Sequence, residues 1–247
     1  AKNDFGYQNL MKLSSYVCSN NVLTIDYLNK INTSSGHLLS LINDVLDMSR
    51  IESGKVEIEN NKEDIIELVK NLQTFVNTDI SEKQLNFDID ISDYSHSKVH
   101  CDKLRLNQLF LNLLSNAIKF TNPGGSISLE AVELSYEDGY VNYEFHVKDT
   151  GIGMKPEFVE KIFEPFERER NTTVSGIQGT GLGMAITKSL VDMMNGTISV
   201  DSKVGAGTDI TVNAQNININ GGTIFNAVPG YCELDVDIRY ENPEHLP

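Results

Sequence analysis

From Leu28 onward, apolar residues recur at alternating steps of three and four: Leu28, Ile31, then Leu38, Ile42 and Val45, with Leu39, Leu41 and Leu46 widening the stripe. That spacing lines one side of an α-helix. Ser35 and Ser49 fall on the same track, so the seam is close to a heptad repeat, which a lone helix in water cannot bury. A partner helix is expected. Tyr7 to Val22, with Leu10, Leu13 and Val17 on one face and a turn at Cys18 to Val22, is the candidate. Residues 1–54 are thus read as a helical hairpin stem, stopped at Ser53-Gly54, that dimerisation would complete into a bundle.

Beyond Gly54 the pattern changes. Val56 and Ile58 alternate with charges like a half-buried strand, and Ile65, Ile66, Leu68, Val69, Leu72 and Phe75 predict an amphipathic helix over Glu63 to Asn77. Phe87, Ile89 and Ile91 alternate with the outward Asp88 and Asp90. Asp102 suits the N-cap of a helix whose Leu104, Leu106, Leu109, Leu111, Leu113, Leu114, Ile118 and Phe120 are dense enough for a central core element, ended by Asn122-Pro-Gly-Gly125. Strands follow at Ile127–Leu134 and Val141–Lys148 around Glu137-Asp138-Gly139, then a helix over Leu182–Met194 and a strand pair at Thr197–Val200 and Thr208–Val212. Strands and helices mixed in this order, without regular βαβ alternation, indicate an α+β sandwich with helices on one face of a mixed sheet.

Charge and cysteine content narrow the function classes. The 247 residues carry 35 acidic against 20 basic side chains, a formal charge of −15, which repels nucleic acid. No apolar run reaches the roughly 20 residues of a membrane helix, and no basic, apolar leader opens the chain. Cys18, Cys101 and Cys232 are odd in number and far apart, unlike a disulfide framework or a zinc motif. A cytoplasmic setting is expected, for the whole protein or for the cytoplasmic part of a membrane sensor.

Three features carry candidate chemistry. Asn112 and Asn116 lie one helical turn apart on the core helix, where amide oxygens suit a hard cation such as Mg²⁺ beside phosphates, although two such amides also serve simply as solvated polar groups. Asp149-Thr-Gly-Ile-Gly-Met154 ends a strand, so the carboxylate can accept from the amine of a base, although alone the motif is only a turn. Gly179-Thr-Gly-Leu-Gly-Met184 opens a helix, whose free N–H groups and dipole favour anionic oxygens. Neither glycine loop is a Walker A or a dinucleotide fingerprint.

Taken in order, these boxes resemble the ATP-binding catalytic domain of sensor histidine kinases, in the superfamily of gyrase, mismatch-repair and heat-shock chaperone ATPases. The likeness runs from about Glu52 to Val212. It includes Asn112-Leu-Leu-Ser-Asn116-Ala-Ile-Lys119-Phe120, the two glycine boxes, Ile162-Phe163-Glu-Pro-Phe166 and Gly205-Ala-Gly207-Thr208. It implies a Bergerat-type sandwich over residues 55–212 and transfer of the γ-phosphoryl group of ATP to histidine. It also implies that Asn116 holds Mg²⁺, that Asn112 and Lys119 approach the phosphates, and that Asp149 binds the adenine amine. Gly151, Gly153, Phe163, Phe166, Gly179, Thr180, Gly181, Leu182, Gly183 and Thr208 would line the nucleotide. Arg168 to Gly179 would be its lid, with Arg168 and Arg170 touching phosphates or staying solvated. A response-regulator receiver domain is the usual partner in that family.

Two departures stand out. Tyr27 through Gly54 resembles the second helix of the family's dimerisation region, yet nothing like the Ser-His-Glu-Ile/Leu-Arg-x-Pro acceptor box precedes His37. His37 is read as a surface or seam residue, with substitute acceptor as the rival role. The second departure is the tail, residues 213–247, whose Gly221-Gly-Thr through Arg239 is similar to part of the dimerisation domain of aminoacylase-type zinc peptidases without that family's metal domain. A plain β-hairpin extension also fits its alternation. Two rivals to phosphoryl transfer follow: a nucleotide-binding interaction module without transfer chemistry, and an oligomerisation module using the tail. His96, His100, Cys101 and Asp102 have metal-like composition but are expected on an edge strand and N-cap.

Overall fold

The computed structural model describes residue 12 and residues 25–91, 95–168 and 179–219. Apart from Lys12, the expected helix at Tyr7 to Val22 lies outside the described residues, as do Arg170 with most of the lid and the tail past Ile219. The chain divides into two units, residues 1–53 and 54–247.

In the first unit, α1 (Ile25–Glu52) is one 28-residue helix. It ends where Ser53 Oγ donates to the Arg50 carbonyl at 3.1 Å, and Gly54 takes the left-handed conformation. The seam is uncovered: Leu28, Ile31, Leu38, Ile42 and Val45 are 42–59% exposed.

The second unit comprises β1 (Asn61–Asp64), α2 (Ile65–Glu82), β2 (Asn86–Asp90), β3 (Lys98–Cys101), α3 (Lys103–Phe120), β4 (Ser126–Glu137), β5 (Tyr140–Asp149), α4 (Pro156–Val159), α5 (Gly183–Met193), β6 (Thr197–Lys203) and β7 (Gly207–Asn218). A five-stranded sheet runs in the order β2-β4-β5-β7-β6, with β2 parallel to β4 and the other pairs antiparallel. β1 and β3 form a separate antiparallel pair.

Period-two burial shows how the sheet is used. Ile127, Leu129 and Ala131 of β4, Val141, Tyr143, Phe145 and Val147 of β5, and Ile210 and Val212 of β7 join one core with Leu109, Phe110, Leu113 and Leu114 of α3. Phe110 meets Phe145 edge-on with ring centroids 5.0 Å apart. The other sheet face is polar. There His146 lies between Glu144, 3.0 Å, and Asp209, 3.3 Å, while Lys148 pairs with Glu130 and Asp209.

Local chemistry sets the helix starts. Asp64 Oδ1 accepts from the backbone N–H groups of Ile66 and Glu67 at the head of α2. Buried Asp102 caps α3, accepting from Arg105 N at 2.9 Å and with its second oxygen from Glu59 N at 3.0 Å. Phe75 and Leu104, expected on the core-facing stripes of α2 and α3, are exposed, because each falls beside the buried row and not on it. Three segments also differ from the sequence pattern. Val56 and Ile58 are not in a strand; the strand is the polar Asn61–Asp64, created by pairing with β3. α2 runs on to Glu82, because Ile80 continues the buried stripe after Val76. β7 passes Val212 to reach Asn218, which pairs with Tyr140.

His100 sits on β3. His96 is held elsewhere: its Nδ1 is 2.7 Å from Glu133 Oε1, its ring stacks on Tyr136, and the Tyr143 hydroxyl donates to its carbonyl. Among the described residues no group of three His, Cys, Asp or Glu side chains could hold a metal ion. Burial pushes the Cys101 thiol up to about 12, with the Glu63 and Asp102 carboxylates adding to the effect.

Candidate functional site

The last turn of α3 is where the sequence boxes meet. The Phe120 carbonyl accepts from Ile152 N of the first glycine loop at 3.2 Å. The neighbouring Lys119 side chain reaches the second loop, so that a Cβ built on Gly179 would lie 2.6 Å from Lys119 Nζ. One helix end therefore touches both glycine loops.

Asp149 closes β5 in register with Thr208 of β7. Its Oδ1 accepts from Gly151 N at 2.8 Å. Burial raises its pKa above the usual carboxylate value, outweighing the backbone hydrogen bonds from Gly151 and Thr208 that favour the charged form. Two glycines are required for this packing. Gly207, at φ +91°, would place a Cβ 1.9 Å from the Asp149 carbonyl oxygen, and Gly153, at φ +64°, would place one 1.9 Å from the Lys203 carbonyl oxygen.

Ser202, absent from the sequence reading, ties these segments. Its hydroxyl accepts from Met154 N, 3.0 Å, donates to the Gly207 carbonyl, 3.0 Å, and lies 2.9 Å from Thr208 Oγ1. Only long-range contacts reveal it, and an isolated serine on a strand carries no signal.

The second glycine loop is held from two sides. Phe166, in a left-handed conformation, donates its N–H to the Gly181 carbonyl at 2.9 Å, while its side chain is 69% exposed and that of Phe163 is half-buried. Thr180 Oγ1 accepts from Leu182 N, and the Leu182 side chain is buried. At the start of α5 no side chain caps the helix, so it presents backbone N–H groups of its first turn.

The two asparagines differ. Asn112 donates from its amide nitrogen to the Gly183 carbonyl and to Thr187 Oγ1, 2.9 Å, fastening α5 to α3. Asn116 turns its amide nitrogen toward Met184 Sδ, 3.4 Å. Lys119 and Arg168 bring two cations near one another within an acidic chain. Burial lowers the Lys119 pKa, and the nearby Arg168 guanidinium lowers it further. Two cations that repel each other at the mouth of a glycine loop suit a polyanion, whose arrival relieves that repulsion.

Residues 101–216 match the family model described as histidine kinase-, DNA gyrase B-, and HSP90-like ATPase. Over 176 residues the chain is 39% identical to the autoinducer 2 sensor kinase/phosphatase LuxQ of Vibrio cholerae, which covers 71% of this chain. Residues 101–216 are an ATPase domain of the histidine kinase type. The chain is similar to full-length ShkA, solved in complex with AMPPNP, at a TM-score of 0.66 and 30% identity over 83% of this chain and 42% of that one. Histidine kinase ThkA, solved with the response regulator protein TrrA, has the same fold at a TM-score of 0.60 and 20% identity, over 84% of this chain and 57% of ThkA. The chain spans 20% of the length of the Vibrio relative. No helix among the described residues is long and apolar enough to cross a membrane.

Proposed function

We propose that the ATPase domain binds ATP·Mg²⁺ and donates the γ-phosphoryl group to a histidine presented by another polypeptide. The observation that carries this reading is the end of α3, where Phe120 holds one glycine loop and Lys119 reaches the other. Asp149 would take the adenine amine, with Thr208 beside it. Lys119, Arg168 and the N-terminus of α5 would take the phosphates. Asn112 would act by holding α5 in place, which keeps those N–H groups aimed at the same point. Phe163 and Phe166 would border the nucleotide, Phe166 through its backbone clasp on Gly181.

The donor set fits Mg²⁺. Asn116 offers an uncharged amide beside Met184, where α5 begins, which suits a hard ion that keeps most of its shell as water and phosphate oxygens. Bound there, Mg²⁺ offsets the charge of the phosphates. Asn116→Ala is expected to weaken ATP binding on the order of tenfold in Mg²⁺ and to leave it unchanged in EDTA. Equal losses in both conditions, measured by calorimetry, would assign Asn116 to packing instead.

We further read residues 1–54 as a dimerising stem and residues 213–247 as a β-rich addition whose first part continues β7. The likeness of that addition to aminoacylase-type lid domains is one of sequence, and no peptidase function is proposed for it. The uncovered seam of α1 supports the stem. Leu38→Glu places a charge in that seam and is expected to convert dimer to monomer at tens of micromolar by sedimentation. A monomeric parent chain would end the proposal. A receiver domain as downstream phosphoryl acceptor and a cytoplasmic location complete the reading.

A further inference from the structure

Behind the site, α2 ends on a lysine that has no place in the sequence boxes. Lys83 extends its ammonium to the end of α3 and donates to the carbonyl oxygens of Ile118, 2.6 Å, and Lys119, 2.8 Å. Those carbonyls belong to the last turn, which has too few N–H partners within the helix and carries the negative end of its dipole. The lysine backbone is itself anchored. Its N–H donates to the Asp79 carbonyl at 3.1 Å, and the chain then turns through Gln84 at φ +55°. The Gln84 carbonyl accepts from Gly124 N at 3.0 Å, and Leu85 N donates to the Ile80 carbonyl. The ends of α2 and α3 are thus joined by backbone bonds on one side and by a charged side chain on the other. Burial lowers the Lys83 pKa, so the ammonium is held there at a desolvation cost.

The turn that Lys83 grips bears the Lys119 side chain, which lies against Gly179. We propose that Lys83 is a positioning residue for the triphosphate: its two hydrogen bonds fix the last turn of α3 and hence where the Lys119 ammonium stands. This rests on the ATP-binding reading above and concerns its phosphate half. An ammonium on a flexible stem binds an anion well only if its own backbone is fixed. A clamp that served stability alone would affect every ligand of the domain alike, whereas a positioning role weighs most on ligands that reach Lys119, beyond the share passed to the first glycine loop through the Phe120 carbonyl.

The test measures ATP and adenosine binding to the full chain by calorimetry. Lys83→Met, which keeps the aliphatic stem, is expected to weaken ATP binding on the order of tenfold, the scale on which groups behind a binding residue act. Adenosine binding, which does not involve Lys119, should fall several-fold less than ATP binding. Lys83→Arg should recover most of the ATP affinity. In a Lys119→Ala background, Lys83→Met should cause no further loss. ATP affinity unchanged in Lys83→Met, equal losses for ATP and adenosine, or an undiminished loss in the Lys119→Ala background would each overturn the inference. If Lys83→Met unfolds the domain by circular dichroism, Lys83→Gln is read by the same criteria. A parent chain that binds no ATP removes the functional reading and this inference with it; a parent that binds ATP while Lys83→Met matches it removes the inference alone.

Discussion

Replacing Asp149 by asparagine is expected to weaken ATP binding by roughly ten- to a hundredfold, the equivalent of about 1.5–3 kcal/mol for a hydrogen bond to a charged group. The carboxylate offers only acceptors, whereas the amide can turn a donor toward the adenine amine. The same substitution is not expected to lower the thermal midpoint. Asp149 has its pKa raised by burial, so its charged form costs stability above the folded pKa, and that cost fades as pH falls through it. Asparagine removes the charge and keeps one acceptor oxygen for the Gly151 and Thr208 N–H groups. Loss of affinity with retained stability separates a binding role from a packing role, as expected where function and stability conflict. Adenosine, free of titrating phosphates, should bind more weakly as pH falls through the Asp149 pKa. That decline should begin at a higher pH than an ordinary carboxylate would give. Unchanged ATP affinity in Asp149→Asn would remove Asp149 from the site.

The second large effect is an absence: incubated alone with γ-labelled ATP, the chain is expected to acquire no acid-labile, base-stable label. Phosphoryl transfer depends on a nucleophile placed in line with the γ-phosphate. Two histidines are engaged elsewhere, His96 with Glu133 and Tyr136, and His146 with Glu144 and Asp209. His100 is fixed on β3, in register with Lys62. His245 and the side chain of His37 are outside the described residues. His37 is the stem candidate, on the helix where the resembling family does not present its acceptor. A label that survives base, is lost in acid and disappears in His37→Gln would make the chain a self-sufficient kinase.

What the sequence disclosed followed from local physics. The α3 stripe from Leu106 onward, the Asp102 cap and the alternation in β4 and β5 each depend on neighbours within a few residues, and each is where the pattern placed it, whereas Leu104 in the first turn of α3 is exposed. β1 was invisible for the opposite reason. Asn61-Lys-Glu-Asp64 has no apolar alternation, and only pairing with β3, residues Lys98–Cys101, makes it a strand. The apparent stop at Asn77 misled because three polar residues precede Ile80, the next position on the buried stripe. Within the site, the order of the boxes marked Asp149, Lys119 and both glycine loops. The sequence did not disclose that Asn112 fastens α5, that Ser202 ties Met154 to Gly207, or that Lys83 grips α3 across 35 and 36 residues. Such contacts form only when distant segments pack together, so no spacing rule reports them.

The most direct test of the central claim is a calorimetric titration of the full chain with ATP, in Mg²⁺ and again in EDTA. Saturable binding of one nucleotide per chain is expected, strongest with Mg²⁺ and weakened in Asp149→Asn. A chain that is folded by circular dichroism yet shows no saturable binding of ATP in either condition would contradict that claim.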